Sequence, residues 1–98
     1  MKLSIFGLGY VGTVMGAILA DRGFHVTGID VNPQKVEDLN NGCSPIIEDG
    51  VPELISQHSK TGTHRFIATT KYLDAVESDI SFICVGTPSS STGDMDLG

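Results

Sequence analysis

The stretch Gly7-Leu8-Gly9-Tyr10-Val11-Gly12 decides the fold, because it forms a G-x-G-x-x-G turn between two apolar segments. Before it, Lys2-Leu3-Ser4-Ile5-Phe6 is a short, β-rich run that suits a buried parallel strand. After it, residues 11–21 are apolar and rich in glycine and alanine, which predicts a helix. A second predicted strand, residues 24–29, ends at Asp30. This order of strand, glycine turn, helix, strand and acidic residue indicates a dinucleotide-binding domain.

Each glycine of the turn has a predicted role. Gly7 permits the tight turn, and Gly9 lets the backbone approach a pyrophosphate because no Cβ stands in the way. Gly12 lets the helix pack closely on the sheet. The unpaired N–H groups of the helix N-terminus, where the helix dipole is positive, would then face the phosphates.

Asp30 predicts which dinucleotide is bound. Its carboxylate would accept hydrogen bonds from the ribose hydroxyls of the adenosine half and would repel a 2′-phosphate. No arginine follows in residues 31–34 to pair with such a phosphate. The sequence therefore favours NAD over NADP.

Composition narrows the class of protein. With 98 residues the chain is at most one small domain, and its net charge of −6 argues against nucleic acid or anionic membranes as partners. Residues 3–20 carry no charge and could mimic a signal peptide or a membrane span. Their glycines weaken a membrane helix, and Ile18 spoils the cleavage pattern of a signal peptide. We therefore expect a cytoplasmic location.

The residue types that often carry chemistry give no signal here. Cys43 and Cys84 have neither disulfide nor metal-ligand spacing; we expect Cys84 to be a small core residue and neither thiol to be catalytic. His25, His58 and His64 show no ligand spacing and are predicted to be surface or strand residues.

A second helix is predicted after Asp30. Asn32 and Pro33 suit the N-cap and the first helical position, and Gly42 ends the helix. Lys35 lies in its first turn. It is either a solvated lysine or a cation at the mouth of the cofactor site, and both interpretations stay open on the residues alone.

The later elements are predicted from apolar spacing. An irregular connection, residues 43–50, leads to a short helix beginning near Pro52. A third strand (65–68), a third main helix and a fourth strand follow. Thr70 is predicted to cap that helix, with Tyr72, Leu73 and Val76 on its buried side. The fourth strand, residues 80–85, is apolar at nearly every position, as expected when helices cover both faces.

These elements predict an α/β fold with a Rossmann-type parallel sheet in the strand order 3-2-1-4. The loop Gly86-Thr87-Pro88 would then face the glycine turn across the switch point between the first and fourth strands, where ligands bind in such sheets. Thr87 could offer its hydroxyl to the cofactor. The alternative is a plain turn that ends a strand.

Several segments together resemble the nucleotide-sugar 6-dehydrogenases, the family of UDP-glucose and GDP-mannose dehydrogenases. The resemblance runs through all 98 residues in order, and the pairing of G-x-G-Y-V-G with a V-G-T-P strand end is its most specific part. The wording of two segments leans weakly toward the GDP-mannose branch. The matching segments are Ile5–Gly12, Gly28–Asp30, Ser44–Ile46 with Glu48 and Gly50, Phe82–Pro88 and Gly93–Leu97.

The resemblance implies NAD as cofactor and oxidation of the sugar C6 alcohol to a carboxylate with two NAD in succession, through a thiohemiacetal and a thioester on a cysteine. It also implies a role in polysaccharide biosynthesis. One departure is Asp49, where the family usually has proline, and it puts the exact shape of that loop in doubt. The positions that match the family's NAD contacts are Tyr10, Val11, Asp30, Lys35 and Thr87.

The chain stops in what looks like a loop, and the chains of the family it resembles are several times longer, so we expect a fragment: the N-terminal part of an NAD-binding domain, residues 1–98. The nucleophilic cysteine, the nucleotide-sugar site and further domains would lie beyond Gly98, and the full-length protein is expected to be a homo-oligomer. The isolated piece is expected to associate or dissolve poorly and to show no dehydrogenase activity, because its fourth strand would present an open apolar edge.

Two alternatives stay open at this stage. One is another NAD enzyme of the 6-phosphogluconate or 3-hydroxyacyl-CoA type, against which Tyr10-Val11 and Gly86-Thr87-Pro88 argue. The other is a non-catalytic domain that senses NAD and regulates a larger protein.

Overall fold

The computed structural model describes residues 1–75 and 77–84, which form one parallel sheet with helices packed on it. The predicted loop Gly86-Thr87-Pro88 and the predicted burial of Val76 fall on residues outside the described ranges. Among the described residues, no helix is long and apolar enough to cross a membrane. The elements in chain order are β1 (Lys2–Phe6), α1 (Tyr10–Asp21), β2 (His25–Ile29), α2 (Pro33–Asn40), α3 (Val51–His58), β3 (Phe66–Thr69), a 3₁₀ turn (Tyr72–Ala75) and β4 (Ile80–Ile83).

The sheet has the strand order β3-β2-β1-β4, and all three pairings are parallel. Ser4 of β1 stands beside Thr27 of β2 and Ser81 of β4, and the two serine hydroxyls lie 2.8 Å apart. β2 and β3 lie on one side of β1, and β4 lies on the other. The point at which the strand order reverses, the switch point, is therefore between β1 and β4. The predicted Rossmann topology is confirmed.

Small residues let α1 lie close to the sheet. A Cβ on Gly16 would overlap the ring of Phe66, and one on Gly28 would overlap the side chain of Leu8. These contacts leave no room for larger side chains at either glycine. The buried apolar core comprises Leu3, Ile5, Leu8, Ala17, Ala20, Val26, Leu39, Val51, Ile55, Phe66 and Ala68.

Side-chain hydrogen bonds fix α2 at both ends. Asn32 caps it as predicted, since its Oδ1 accepts from the N–H groups of Gln34 (3.0 Å) and Lys35 (3.2 Å). At the other end, Asn40 bonds to both backbone groups of Ala68 in β3: its Nδ2 donates to the carbonyl at 2.9 Å and its Oδ1 accepts from the N–H at 2.8 Å. The position of Lys35 is therefore set by an anchored helix.

The third main helix predicted after Thr70 is wrong. A single 3₁₀ turn, Tyr72–Ala75, takes its place, and the side chains of Tyr72 and Leu73 are 68% and 67% exposed. The Thr69 hydroxyl, just before this turn, donates to the Asp74 carboxylate at 2.7 Å.

The expectation that helices cover both faces of the fourth strand is also wrong for the described residues. In that part of the chain β4 lies at the sheet edge beside β1, with Ile80 and Ile83 exposed. Phe82, which stands next to Ile5, packs against the core, as does Cys84 just after the strand. The core position predicted for Cys84 is thus consistent with the structure.

His58 is not a surface residue, contrary to the prediction. It is 2% exposed, with Nδ1 2.7 Å from the Thr63 hydroxyl and Nε2 3.2 Å from a carboxylate oxygen of Asp21. The ring lies where the C-terminal ends of α1 and α3 meet. Both ring nitrogens have partners, which is what permits a polar ring to be buried there.

Candidate functional site

The glycine turn is held in place by bonds to β2 and to the start of α1. Gly7 has φ +100°, a left-handed conformation that favours glycine, and its N–H donates to the carbonyl of Ile29 at 2.8 Å. The Leu8 side chain is buried, and its carbonyl accepts from the Thr13 hydroxyl at 3.0 Å. The turn is therefore a fixed structure between the two central strands.

Gly9 and Gly12 differ in what surrounds them. A Cβ on Gly9 would meet nothing within 4 Å, so the backbone there is open for close approach by a ligand. A Cβ on Gly12 would collide with the carbonyl oxygen of Gly7 and come within 3.2 Å of the Ile5 side chain. Close packing of the helix at Gly12, predicted from the sequence, is confirmed.

The N-terminus of α1 points unpaired donors at this open space. The first helical N–H with an acceptor is that of Thr13, which bonds to the carbonyl of Gly9 at 3.0 Å. Among the described residues, the N–H groups of residues 9–12 have no protein acceptor, and the first turn of α1 contains no acidic side chain. Together with the positive end of the helix dipole, these donors favour an anion such as a phosphate.

Asp30 ties the end of β2 to the glycine turn. Its Oδ2 accepts from the N–H of Leu8 at 2.8 Å, and its Oδ1 accepts from the N–H of Asn32 at 3.0 Å. The bond to Leu8 spans 22 residues of sequence and was missed by the sequence analysis. The sequence signal for this bond is the presence of an acidic residue after β2 together with the glycine turn. In the dinucleotide-binding motif that acid is assigned to the ribose, and a bond to the turn is not implied.

Lys35 lies beside this carboxylate, with its Nζ 3.6 Å from Asp30 Oδ2. Partial burial raises the pKa of Asp30. The opposing effect is larger: hydrogen bonds from the N–H groups of Asn32 and Leu8, and the charge of Lys35, bring the pKa below its ordinary value of 3.8. Asp30 is therefore ionised at neutral pH, with the Lys35 side chain beside it.

A cleft of about 570 Å³ opens at the carboxyl ends of β1 and β2. It brings together four of the predicted site residues: Gly7, Gly9, Asp30 and Lys35. The other side chains and backbone segments that line it are Phe6, Ile29, Val31, Thr70 and Tyr72.

Three other predicted site residues, Tyr10, Val11 and Gly12, do not line this cleft, and Thr87 lies outside the described residues. Tyr10 and Val11 line a separate apolar groove of about 340 Å³ along α1, and Gly12 is buried beneath the turn. At the groove, the carboxylate of Glu48 raises the pKa of the Tyr10 hydroxyl, first by hydrogen bonding and then by its charge. The sequence analysis did not foresee this pairing of the helix start with the 43–50 connection.

Within residues 1–75 and 77–84 there is no cluster of three or more His, Cys, Asp or Glu side chains that could hold a metal ion. Cys43 is exposed on the connection before α3.

The strand order, the glycine turn at a helix N-terminus and the acid after β2 define a Rossmann-type dinucleotide-binding domain. The sequence profile of the UDP-glucose/GDP-mannose dehydrogenase family, NAD binding domain, matches residues 1–98. The chain belongs to this family, and its cofactor is NAD.

The names of individual relatives agree with this family assignment. The chain is 52% identical to GDP-mannose 6-dehydrogenase of Pseudomonas aeruginosa over 100% of this chain and 22% of that protein. It is 40% identical to UDP-glucose 6-dehydrogenase of Haloferax volcanii, again over 22% of that protein. The chain thus spans about a fifth of the length of these relatives.

Solved structures show the same fold. A ternary complex of GDP-mannose dehydrogenase from Pseudomonas aeruginosa superposes with a TM-score of 0.88 at 49% identity, covering 98% of this chain and 22% of that chain. A UDP-glucose dehydrogenase from Pyrobaculum islandicum superposes with a TM-score of 0.79 at 39% identity, covering 91% and 20%.

The residues present fit NAD. The open backbone at Gly9 and the unpaired amides of α1 suit a pyrophosphate, and the Asp30 carboxylate at the cleft wall suits a ribose diol. Nothing in residues 31–34 supplies an arginine for a 2′-phosphate.

Proposed function

We propose that this chain is the N-terminal NAD-binding part of a nucleotide-sugar 6-dehydrogenase. The full-length protein would oxidise the C6 alcohol of the sugar to the carboxylate with two NAD. The observation that carries the proposal is the cleft in which the glycine turn, the ionised Asp30 and Lys35 converge, in a chain whose whole length matches this family. The catalytic cysteine and the sugar site would lie in the remainder of the protein.

The roles of the site residues follow from their positions. The amides that begin α1, at Gly9, Tyr10 and Val11, would bind the pyrophosphate, and Gly7 and Gly12 shape the turn that presents them. Asp30 would accept from the ribose hydroxyls with the lone pairs that Leu8 and Asn32 leave free. The Thr87 hydroxyl would also contact the cofactor, as the resemblance implies.

Lys35 would act through charge. It lies 3.6 Å from Asp30 and lines the same cleft, so it holds the carboxylate ionised and adds a donor near the ribose. NAD itself supplies the hydride acceptor. The described residues bind and orient it, and among them we assign no side chain to proton or hydride transfer.

GDP-mannose is the favoured substrate. Six of the similar curated proteins, at 46–52% identity, are named GDP-mannose 6-dehydrogenase, whereas the named UDP-glucose enzyme is 40% identical. A function in polysaccharide biosynthesis, a cytoplasmic location and a homo-oligomeric state are part of the same proposal.

The test is turnover by the full-length protein with GDP-mannose and with UDP-glucose, measured as NADH formed per sugar consumed. We expect two NADH per GDP-mannose and little reaction with UDP-glucose. NAD binding without oxidation of any nucleotide sugar would instead support the sensor alternative. One NADH per sugar would contradict oxidation to the carboxylate.

A pair of variants tests the site. Asp30→Asn removes a charged acceptor and should raise KM for NAD by about tenfold, with a smaller preference for NAD over NADP. Asp38→Asn is the matched control, because Asp38 lies on α2, bonds to Gln34 at 2.9 Å and does not line the cleft. Equal KM values for the two variants would remove Asp30 from the cofactor site.

A further inference from the structure

Tyr72 is an aromatic side chain held out of the core at the edge of the cofactor cleft. It is 68% exposed, and it lines the cleft that also contains Gly9, Asp30 and Lys35. Leu73 is equally exposed but does not line the cleft. Both side chains of the turn are therefore exposed, but of the two only Tyr72 faces the cleft.

Local hydrogen bonds fix the backbone that carries Tyr72. The Thr69 hydroxyl accepts from the N–H of Lys71 at 3.1 Å and donates to the Asp74 carboxylate at 2.7 Å. The N–H of Asp74 closes the turn on the carbonyl of Lys71 at 3.0 Å. These bonds lie on both sides of Tyr72, so the backbone that carries the ring is held in place before a ligand contacts it.

The arrangement of the cleft determines which part of the cofactor reaches Tyr72. If the pyrophosphate lies on the amides that begin α1 and the adenosine ribose lies at Asp30, the base must continue past Asp30, away from the glycine turn. Because β3 lies on the far side of β2 from β1, the lining residues on that side are those that follow β2 and β3, namely Val31, Thr70 and Tyr72. Val31 is 90% exposed and immediately follows Asp30, so it offers an apolar contact close to the ribose.

We propose that Tyr72, with Val31, forms the adenine subsite and that the Tyr72 ring stacks on the base. The inference rests on the proposed NAD site and adds to it a residue that contacts the base. An aromatic ring is suited to this position because the flat face of a purine can stack on it. Stacking does not need the Tyr72 hydroxyl. The exposed ring is thereby covered when the cofactor is bound.

The test is calorimetric titration of the full-length protein with NAD and with 5′-AMP. Tyr72→Ala should weaken both ligands by the same factor, about tenfold, because both carry the adenine ring. Tyr72→Phe, which keeps the ring, should restore both affinities. Leu73→Ala is the matched control and should bind both ligands like the wild type.

The outcomes separate this inference from the proposed function. If the wild type binds neither NAD nor AMP, the proposed cofactor site is wrong and the adenine subsite falls with it. If the wild type binds NAD but Tyr72→Ala binds AMP equally well, only the stacking contact is wrong. Weakening by Tyr72→Phe as large as by Tyr72→Ala, or an equal loss in Leu73→Ala, would also overturn it. Unfolding midpoints of all variants show whether a loss reflects folding instead, which would likewise contradict a direct contact.

Discussion

Two regions of the molecule each pair a carboxylate with a basic side chain, and they do so in opposite ways. At the cleft, Asp30 lies 3.6 Å from Lys35 and faces an open space. At the junction of α1 and α3, Asp21 lies 3.2 Å from His58, and the buried ring has its second nitrogen on Thr63. Both nitrogens of His58 are committed within the protein, whereas Asp30 and Lys35 retain capacity for a ligand.

The comparison shows that burial and unused hydrogen-bonding capacity, more than residue type, separate a binding site from a structural contact. Histidine is the residue more often linked with function, yet here it stabilises a helix junction. Because α1 runs from the cleft to this junction, its two ends can be perturbed separately. Changes at the start of α1 should lower cofactor affinity, whereas changes at its end should lower stability and leave that affinity unchanged.

The largest effect is expected at the glycine turn, from Gly12→Ala. The added Cβ would collide with the backbone oxygen of Gly7, which no side-chain rotation can relieve. We expect a loss of about 3 kcal/mol in the free energy of unfolding together with loss of NAD binding, since the turn itself must move. Chemical denaturation and NAD titration of the full-length protein measure the two effects.

Gly9→Ala is the matched control for this prediction. Nothing lies within 4 Å of its Cβ position and its φ of −77° is open to alanine, so stability should change little. NAD affinity should still fall, because the methyl group occupies the space that the pyrophosphate would approach. If Gly9→Ala binds NAD like the wild type, the phosphates do not lie on this turn.

Much of the cleft could be predicted because its signals are local. The glycines of the turn, the alternation of strand and helix, and Asp30 after β2 follow one another within the first third of the chain. Each has a physical reason that can be recognised without tertiary structure: backbone freedom, apolar periodicity and charge. The strand order then follows from the right-handed connection of parallel strands.

Burial that depends on distant partners could not be predicted. His58 is buried because Asp21, far away in sequence, meets it, and no periodicity in α3 reveals that partner. Tyr72, Leu73 and Val76 have helical spacing in the sequence, but among the described residues the segment forms a 3₁₀ turn, Tyr72–Ala75, with Tyr72 and Leu73 exposed. At His58, polar contacts with Asp21 and Thr63, rather than an apolar pattern, accompany the burial of the side chain.

The second prediction tests the other end of α1 with His58→Ala. Removing the ring deletes both of its hydrogen bonds and leaves a cavity between α1 and α3. We expect a loss of about 2 kcal/mol in the free energy of unfolding, with faster hydrogen exchange in both helices. Affinity for NAD should be unchanged, because His58 does not line the cleft.

His58→Gln provides the control, since its amide can replace one of the two bonds and should recover part of the stability. A drop in NAD affinity in His58→Ala comparable to that in Gly9→Ala would show that the two ends of α1 are coupled. The separation drawn between the regions would then be wrong.

The smallest expected effect is the pH dependence of Asp30, which belongs to both fold and site. Because its pKa is lower in the folded protein than the ordinary value of 3.8, its contribution to stability is complete above that value. The contribution is lost as the pH falls through the lower, folded pKa, when protonation removes acceptor capacity from the bonds to Leu8 and Asn32.

Asp30→Asn has no such titration, so the stability difference between wild type and variant should shrink as the pH falls below about 4. Denaturation midpoints of both proteins across this pH range measure the difference. In Lys35→Met the loss of stability should begin at a higher pH, because the substitution removes the cation that favours the carboxylate. A difference independent of pH would mean that the ties between Asp30 and the glycine turn do not favour its ionised form, and the carboxylate at the cleft would then be a ligand group only.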